Sequence, residues 1–519
     1  MTRFRAAAFA ALFLWGTAET AVAQDVTLTS RDGNVEISGD LLGFDGEFYR
    51  VDTIYGQLTV DGSGVLCEGP GCPDLEAFVA KVTFSGAPTV GRVLMPALLE
   101  AFAIRNDYAL RRDEVSENEI IYRMSDRETE RDVGAFTFRL TNADEAFGDL
   151  LVDNTDMVMS LREVREEERL RAEEVGLGDL TGRNGSRVVA LDALVPVVAP
   201  SNPVTQLTVP QLSQLLSGEI DNWSQLGGAD APVSVHVHQP SSGLGQAMQD
   251  LLLEPAGAEL VESAVLHPGG PDLARAVAAD PFAIGVTSRS ETGNAWELGI
   301  AGECGFTLRA NRRGVKTEDY PMTSPMFLYI PARRFPKLVR EFLSYLRDPS
   351  AQLVIRRAGF VDQAPEEIPV YQQGNRFANA IAQAGEETSL EDLQRMVSFL
   401  TPLNRLSTTF RFEQGSIQLD AQSRFNVQQL AGMLETGLYD ERRLVFVGFS
   451  DSEGSAEVNL RLSKRRAEAV RQAVAETAET DDLSRVSLEA EAFGEAMPMA
   501  CDETSWGRHV NRRVEVWVR

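Results

Sequence analysis

Positive charge is scarce in this chain. Against 77 Asp and Glu, its 519 residues carry 49 Lys and Arg, a formal net charge of −28. Such a balance excludes nucleic acid as a general partner, because phosphates demand Lys and Arg, and it disfavours anionic membrane surfaces. The excess acid serves solubility. Cysteine and histidine are equally sparse, at four each. His236 and His238 sit two apart on a predicted strand and share a side, but no acidic or Cys partner stands at ligand spacing, so neither a metal nor another cofactor is expected. No nucleophile–base pair, zinc signature or paired-carboxylate motif is legible, and no enzyme is expected. Beyond the first 23 residues no apolar run is long enough to span a bilayer.

Those first residues have Arg3 and Arg5, an apolar run from Ala6 to Trp15, and Ala21-Val22-Ala23 before Gln24. This is the pattern of a secretory signal peptide with a small-x-small cleavage site, spanning 1–23. Export fits the cysteine usage, since few bridges in an oxidising compartment need few Cys. Residues 24–75 read as a small β module: Val26 to Thr29, Val35 to Ser38, Phe48 to Val51 and Gln57 to Val60 are strand-like, punctuated by Asp-Gly pairs. Cys67 and Cys72 flank Glu-Gly-Pro-Gly, a turn that brings them within bridging reach, and a disulfide is expected. A zinc half-site is the rival. Whether Cys304 and Cys501 pair is left open.

The clearest signal lies at residues 444–515. Leu444, Phe446 and Gly448 alternate with Val445, Val447 and Phe449, a run apolar on both faces that suits a buried strand. Asp451 follows its end in a Gly/Ser/Glu turn. Ala456 to Thr477 reads as a helix, on which Asn459 and Arg466, seven apart at ~3.6 residues per turn, share a face, beside a stripe of Val458, Leu462, Ala469 and Ala473. One carboxylate and one guanidinium thus converge, a pair suited to a zwitterion: the carboxylate holds an ammonium and the planar guanidinium grips a carboxylate through two bonds. The order Gly448-Phe449-Ser450-Asp451, Gly454, Leu462-Ser463-x-x-Arg466-Ala467 and Asn511-Arg512-Arg513-Val514-Glu515 resembles the outer-membrane protein A type C-terminal domain. The resemblance covers roughly 404–519 and implies an α+β domain of βαβαββ type that grips peptidoglycan, with Asp451 and Arg466 on the diaminopimelate of a stem peptide. Asn459, Asn511 and Arg512 are secondary candidates, Arg512 and Arg513 also suiting a strand whose polar face pairs with nearby acids. The usual G-H-T-D is G-F-S-D here.

Residues 76–362 alternate strand and helix patterns, which argues α/β architecture. Phe84-Ser85-Gly86-Ala87-Pro88-Thr89 opens the region, Ala190 to Val198 reads as a crossing strand, Phe282-Ala283-Ile284-Gly285 as its return, and Gly359-Phe360-Val361 closes it. This series resembles the phosphate-transporter type of periplasmic binding protein. It implies a two-lobed domain, its middle lobe at about 193–285, with a cleft that holds an oxyanion on backbone N–H groups at helix N-termini. The implied contacts are Ser85, Gly86, Thr89, Asp156, His238, Ser242 and Gly243. The family's loop arginine and threonine align with His238 and Leu244, and its pocket serine falls near Leu161. Phosphate, another small anion or solute, and a vestigial cleft all remain open, since each lost charge-assisted bond costs about 1.5–3 kcal/mol.

Arg162 to Glu174, dense in Arg and Glu, reads as a solvated helix with i,i+4 pairs. Residues 363–403 read as a connector followed by a helix, Leu390 to Leu400, that docks on a neighbour. Taken together these segments predict an exported, non-catalytic protein, periplasmic and peptidoglycan-associated near the outer membrane, that presents an anion-type solute-binding domain. The alternative is an envelope structural protein whose cleft has lost its ligand and whose surface meets a protein partner.

Overall fold

The computed structural model describes residues 25–75, 77–182, 184–301, 307–385, 387–412, 416–479, 483–502 and 504–519. The expected signal peptide and Cys304 lie outside the described residues. The chain divides into two units, one ending at Ala80 and including Phe335–Lys337, the other formed by Lys81–Arg334 and Leu338–Arg519. Among the described residues no helix is long and apolar enough to cross a membrane.

The first unit is an antiparallel sheet of five strands in the order Gly56–Asp61, Phe48–Thr53, Glu36–Phe44, Val26–Ser30, Val65–Glu68. Alternation puts Val26, Leu28, Tyr49 and Val51 into one small core. A core this slight needs a staple, and Cys67 and Cys72 supply one as a disulfide, so the zinc half-site falls away. Cys501 is also disulfide-bonded.

The second unit starts from one long strand. Ser186–Val198 is buried over its last eleven residues, as a strand covered on both faces must be. Its first half pairs antiparallel with Thr323–Tyr329 and its second half with Ala283–Ser288. From the first half the sheet continues through Met157–Ser160, Ala80–Gly86, Asp132–Leu140, Glu119–Asp126 and Tyr108–Ser116. From the second half it runs to Ser234–His238 and Val265–His267. One strand therefore serves two lobes, the fold expected from the alternation of elements.

The C-terminal sheet has the order Glu367–Ile368, Asn404–Arg411, Arg513–Val518, Arg443–Phe449, Ser487–Ala492. Its central strand shows why Arg443–Phe449 is apolar on both sides. Leu444 and Phe446 pack with the helices Ala421–Glu435 and Ala456–Thr477 through Val427, Leu430, Ala467, Val470 and Val474. Val445, Val447 and Phe449 face the other way, into a second core with Ala380, Leu393, Met396 and Leu400. The segment before the sheet is thereby part of it: Glu367–Ile368 adds an edge strand, and the helices Gly374–Ala382 and Leu390–Leu400 cover its second face.

The stripe read on the helix Ala456–Thr477 is corrected by the structure. Val458 is 46% exposed, and the buried face is Asn459, Ser463, Arg466, Ala467, Val470 and Val474. The cause is a close backbone approach. A Cβ at Gly448 would collide with the Ser463 carbonyl oxygen, so the helix rests on the strand through its small and polar residues.

Candidate functional site

At the end of the strand Arg443–Phe449 the chain turns through Asp451 to Gly454, whose φ of +96° favours glycine. Ser455 then caps the long helix by accepting the Val458 amide. This entry angle carries Asn459 and Arg466 inward beneath Asp451. Asp451 is 7% exposed and Arg466 2%. One Asp451 oxygen, Oδ2, accepts from Arg512 Nη1 at 2.6 Å. Arg466 donates Nη2 to the Ser416 carbonyl at 3.2 Å and lies 5.0 Å from the centre of the Phe412 ring. Its Nε and Nη1 are buried without an acceptor. Burial, then the nearby Arg512, lower its pKa to about 10, while the Asp451 carboxylate acts in the opposite sense. At neutral pH Arg466 is still a cation, with two N–H-bearing nitrogens unmet.

The three asparagine and arginine candidates have distinct places. Arg512 pairs with Asp451, and its own Nε has no acceptor. Asn459 donates to Glu495 Oε2 at 2.9 Å, pinning the turn whose Gly494 carbonyl accepts the Ser450 amide. Asn511 is fully buried, and both ends of its amide are taken. Oδ1 accepts the Met499 amide at 2.6 Å and the Ala500 amide at 3.2 Å. Nδ2 donates to the Ala500 carbonyl and to Asp502 Oδ1. Asn511 is thus a positioning residue for the turn that brings Asp502 Oδ2 to the Ser452 amide. Asp502 and Ser416 escaped the sequence reading because neither sits on a periodic face or in a spaced motif.

In the two-lobed α/β part of the second unit, the first of that unit's two modules, the residues expected at an oxyanion cleft are brought together, and their polar groups are mostly engaged. Gly86 has φ +134°, and a Cβ there would strike the Met159 carbonyl oxygen. The Ala87 amide donates to that same carbonyl, and Pro88 has no N–H to offer. Ser85 is fully buried with Oγ unpartnered, and Thr89 is 8% exposed. Across the cleft Ser242 caps the helix Gly243–Met248, donating to the Gln239 carbonyl and accepting the Gly245 amide. His238 meets Thr287 Oγ1 at 3.2 Å, and burial lowers its pKa to about 4, so it is neutral and brings no positive charge. Gly243 stands over Ala87 and Leu161, either of which a Cβ would approach to 3.5 Å. Gln246 Nε2 donates across the lobes to Asp144 Oδ2 at 2.8 Å. The cleft is thus shut on Leu161, which fills the place of the expected serine.

Asp156 is displaced from the expected role. Its carboxylate accepts the Thr83 amide at 2.8 Å and pairs with Arg333 at 3.0 Å, which fixes the strand below the loop and leaves little for a solute. His236 and His238 do not act together either. His236 Nδ1 meets His267 Nε2 at 2.9 Å, and among the described residues no group of three or more His, Cys, Asp or Glu is set to hold a metal.

Comparison with known proteins follows this division. The family model described as PBP superfamily domain matches residues 79–349, and the one described as OmpA family matches residues 411–512. The chain is similar to the phosphate-binding protein PstS of Borreliella burgdorferi, 23% identical over 179 residues, 34% of this chain and 64% of that protein. It is similar to the peptidoglycan-associated lipoprotein of Pseudomonas putida, 34% identical over 114 residues, 22% of this chain and 63% of that protein. The chain therefore spans less than two thirds of either relative's length. Among solved structures, an ABC-type phosphate transport receptor from Vibrio cholerae aligns with a TM-score of 0.41 at 19% identity, covering 54% of this chain and 99% of that one.

Proposed function

Because this chain belongs to the PBP superfamily and ends in an OmpA family domain, we propose that it is a non-catalytic periplasmic binding protein held on peptidoglycan near the outer membrane. Its C-terminal domain takes the diaminopimelate residue of a stem peptide between Asp451 and Arg466. One observation carries this reading: Arg466, 2% exposed, keeps Nε and Nη1 without acceptors beside Asp451. An unpaired buried guanidinium is costly, and a ligand carboxylate that meets either nitrogen would relieve it through a charge-assisted hydrogen bond. The ligand's ammonium goes to Asp451, where Arg512 Nη1 now stands. Purified protein is expected to sediment with isolated sacculi, and Asp451→Ala with Arg466→Ala to abolish this. Undiminished sedimentation of a folded double variant would discard the site.

For the first module the packing of Gly243 on Ala87 and Leu161 favours the second reading, a cleft that serves structure and partner contact. The superfamily supports solute binding as a class, yet His238, in the place of the family's loop arginine, is neutral, and among the described residues the cleft's fully buried hydroxyl without a partner is that of Ser85. Calorimetry with phosphate and sulfate is expected to give no saturable heat. Micromolar binding of either would restore the receptor reading.

A further inference from the structure

A cavity of about 370 Å³ lies between the first module and the C-terminal domain. That is within the size range of small-molecule sites, roughly 300–1,000 Å³. Glu163, Asp250 and Glu318 line it from one side, Asp420, Arg411 and Arg512 from the other. Four carboxylates thus face two guanidinium groups, an excess of negative charge even with Glu318 protonated.

The groups differ in what they have left to give. Arg411 donates to the Val510 and Glu318 carbonyls, Arg512 to Asp451. Glu163 accepts the Ala421 amide and Asp420 that of Ser423. The Asp250 carboxylate forms no hydrogen bond or ion pair among the described residues; burial raises its pKa, and the fields of Arg165 and Arg162 oppose that. Gln422 also lines the cavity and is 4% exposed. Its Nε2 is fixed by Gln363 and Asn426, which leaves Oε1 as a buried acceptor without a donor. The unmet acceptors are Gln422 Oε1 and the Asp250 carboxylate, the unmet donors are Trp506 Nε1 and Arg512 Nε, and the lining between them includes Met322 and Leu251. The carboxylates outnumber the guanidinium groups, so a ligand that meets the two acceptors brings N–H donors, positive charge and a short alkyl body, and an anion of the same length tests the two donors. The backbone supports a built site too. Asp250 and Leu251 belong to a π-helical segment, Gln249–Leu253, a rare widening of the helix that is frequent at functional sites.

We propose that this cavity binds a small aliphatic ammonium, with Asp250 as the charge partner and Gln422 Oε1 as an acceptor. The site is distinct from the Asp451–Arg466 pair, though Arg512 stands in its wall and also bonds Asp451. Its test is calorimetry of the full exported chain with cadaverine, and with glutarate as the dianion of the same length. Saturable binding of cadaverine and none of glutarate is expected. Asp250→Asn is expected to weaken cadaverine at least tenfold while sacculus sedimentation is unchanged. Leu251→Arg, at a position 38% exposed, places a guanidinium at the wall without disturbing a core and is expected to abolish cadaverine binding. No saturable heat with cadaverine overturns the proposal. So does equal binding by both folded variants, or loss in Asp451→Asn but not in Asp250→Asn, which would put the amine at the other site.

Discussion

Replacing Asp319 by Asn removes one carboxylate from a buried junction between the first module and the C-terminal sheet. Arg405, 1% exposed, donates Nη1 to Asp319 Oδ2 at 2.7 Å and Nη2 to Oδ1 at 3.0 Å. Behind it Glu515 is shared by Arg376, Arg405 and Arg513. Three guanidinium groups thus surround two carboxylates, and Asp319→Asn leaves them around one. At an effective dielectric of about 20, a unit pair near 4 Å is worth about 4 kcal/mol, and removing one partner of a buried pair costs about 3–5 kcal/mol. Burial alone would raise the Asp319 pKa, yet the Arg405 guanidinium holds it at about 2. The pair's contribution is therefore present above the ordinary aspartate range and lost only as pH falls toward 2. Equilibrium urea unfolding at pH 7 should show a loss of about 3–5 kcal/mol. Adding Arg405→Met should recover much of it, because no unpaired charge then faces Glu515's other partners across the junction. A loss below about 1 kcal/mol, the level of an exposed pair, or a double variant no better than the single, would refute this account.

Glu318, with φ +55°, has its pKa raised to about 8, first by burial and then by Asp420, with Arg411 Nε at 4.0 Å offsetting only part. Its neutral form suits the fold below about pH 5, and stability should fall as pH rises through 8. Glu318→Gln should remove that slope in thermal melts between pH 5 and 9, a difference of up to roughly 5 kcal/mol; parallel curves would contradict it. Gly448→Ala should force the strand off the Ser463 carbonyl, costing about 1–3 kcal/mol and weakening sacculus sedimentation because Arg466 moves with the helix. Opening the Cys67–Cys72 bridge with a double Ser substitution should destabilise the first unit by about 2 kcal/mol, as the short loop implies, read by hydrogen exchange at Leu28 and Val51. Unchanged exchange there would show that the strands hold without the staple.

Local pattern made some of this legible in advance. The two-sided strand announced itself by the uninterrupted run Leu444 to Phe449, and the seven-residue spacing of Asn459 and Arg466 put both on one face, which the structure buries. The crossing strand and its return followed from the family resemblance and stand at Ser186–Val198 and Ala283–Ser288, while the other partner, Thr323–Tyr329, was not read. What escaped was decided by satisfaction of polar groups. Asn511 and Asp156 are residue types that bind ligands, but each is already bonded by neighbours that no spacing reveals. The buried charges of the junction escaped for a related reason: Asp319 and Arg405 are 86 residues apart, and neither lies in a repeat. The helix stripe misled because Gly448 admits a backbone contact, which turned small residues inward where larger apolar ones were expected.

The segment 363–403 bears on how the two modules of the second unit act. A flexible connector would let them move independently, but here Glu367–Ile368 is bonded into the C-terminal sheet. Lys316 pairs with Asp362 and Glu366 just before it. The same lobe that carries Ser242 and Gly243 over Leu161 carries Asp250 and Leu251 at the cavity wall, through a helix continuous from Gly243–Met248 into Gln249–Leu253. A rotation about Ser186–Val198 that parts Gly243 from Leu161 must therefore also shift Asp250 against Gln422 and Arg512. A cation filling the cavity would resist that rotation, and since Arg512 also bonds Asp451, the strain would reach the Arg466 cleft through one side chain.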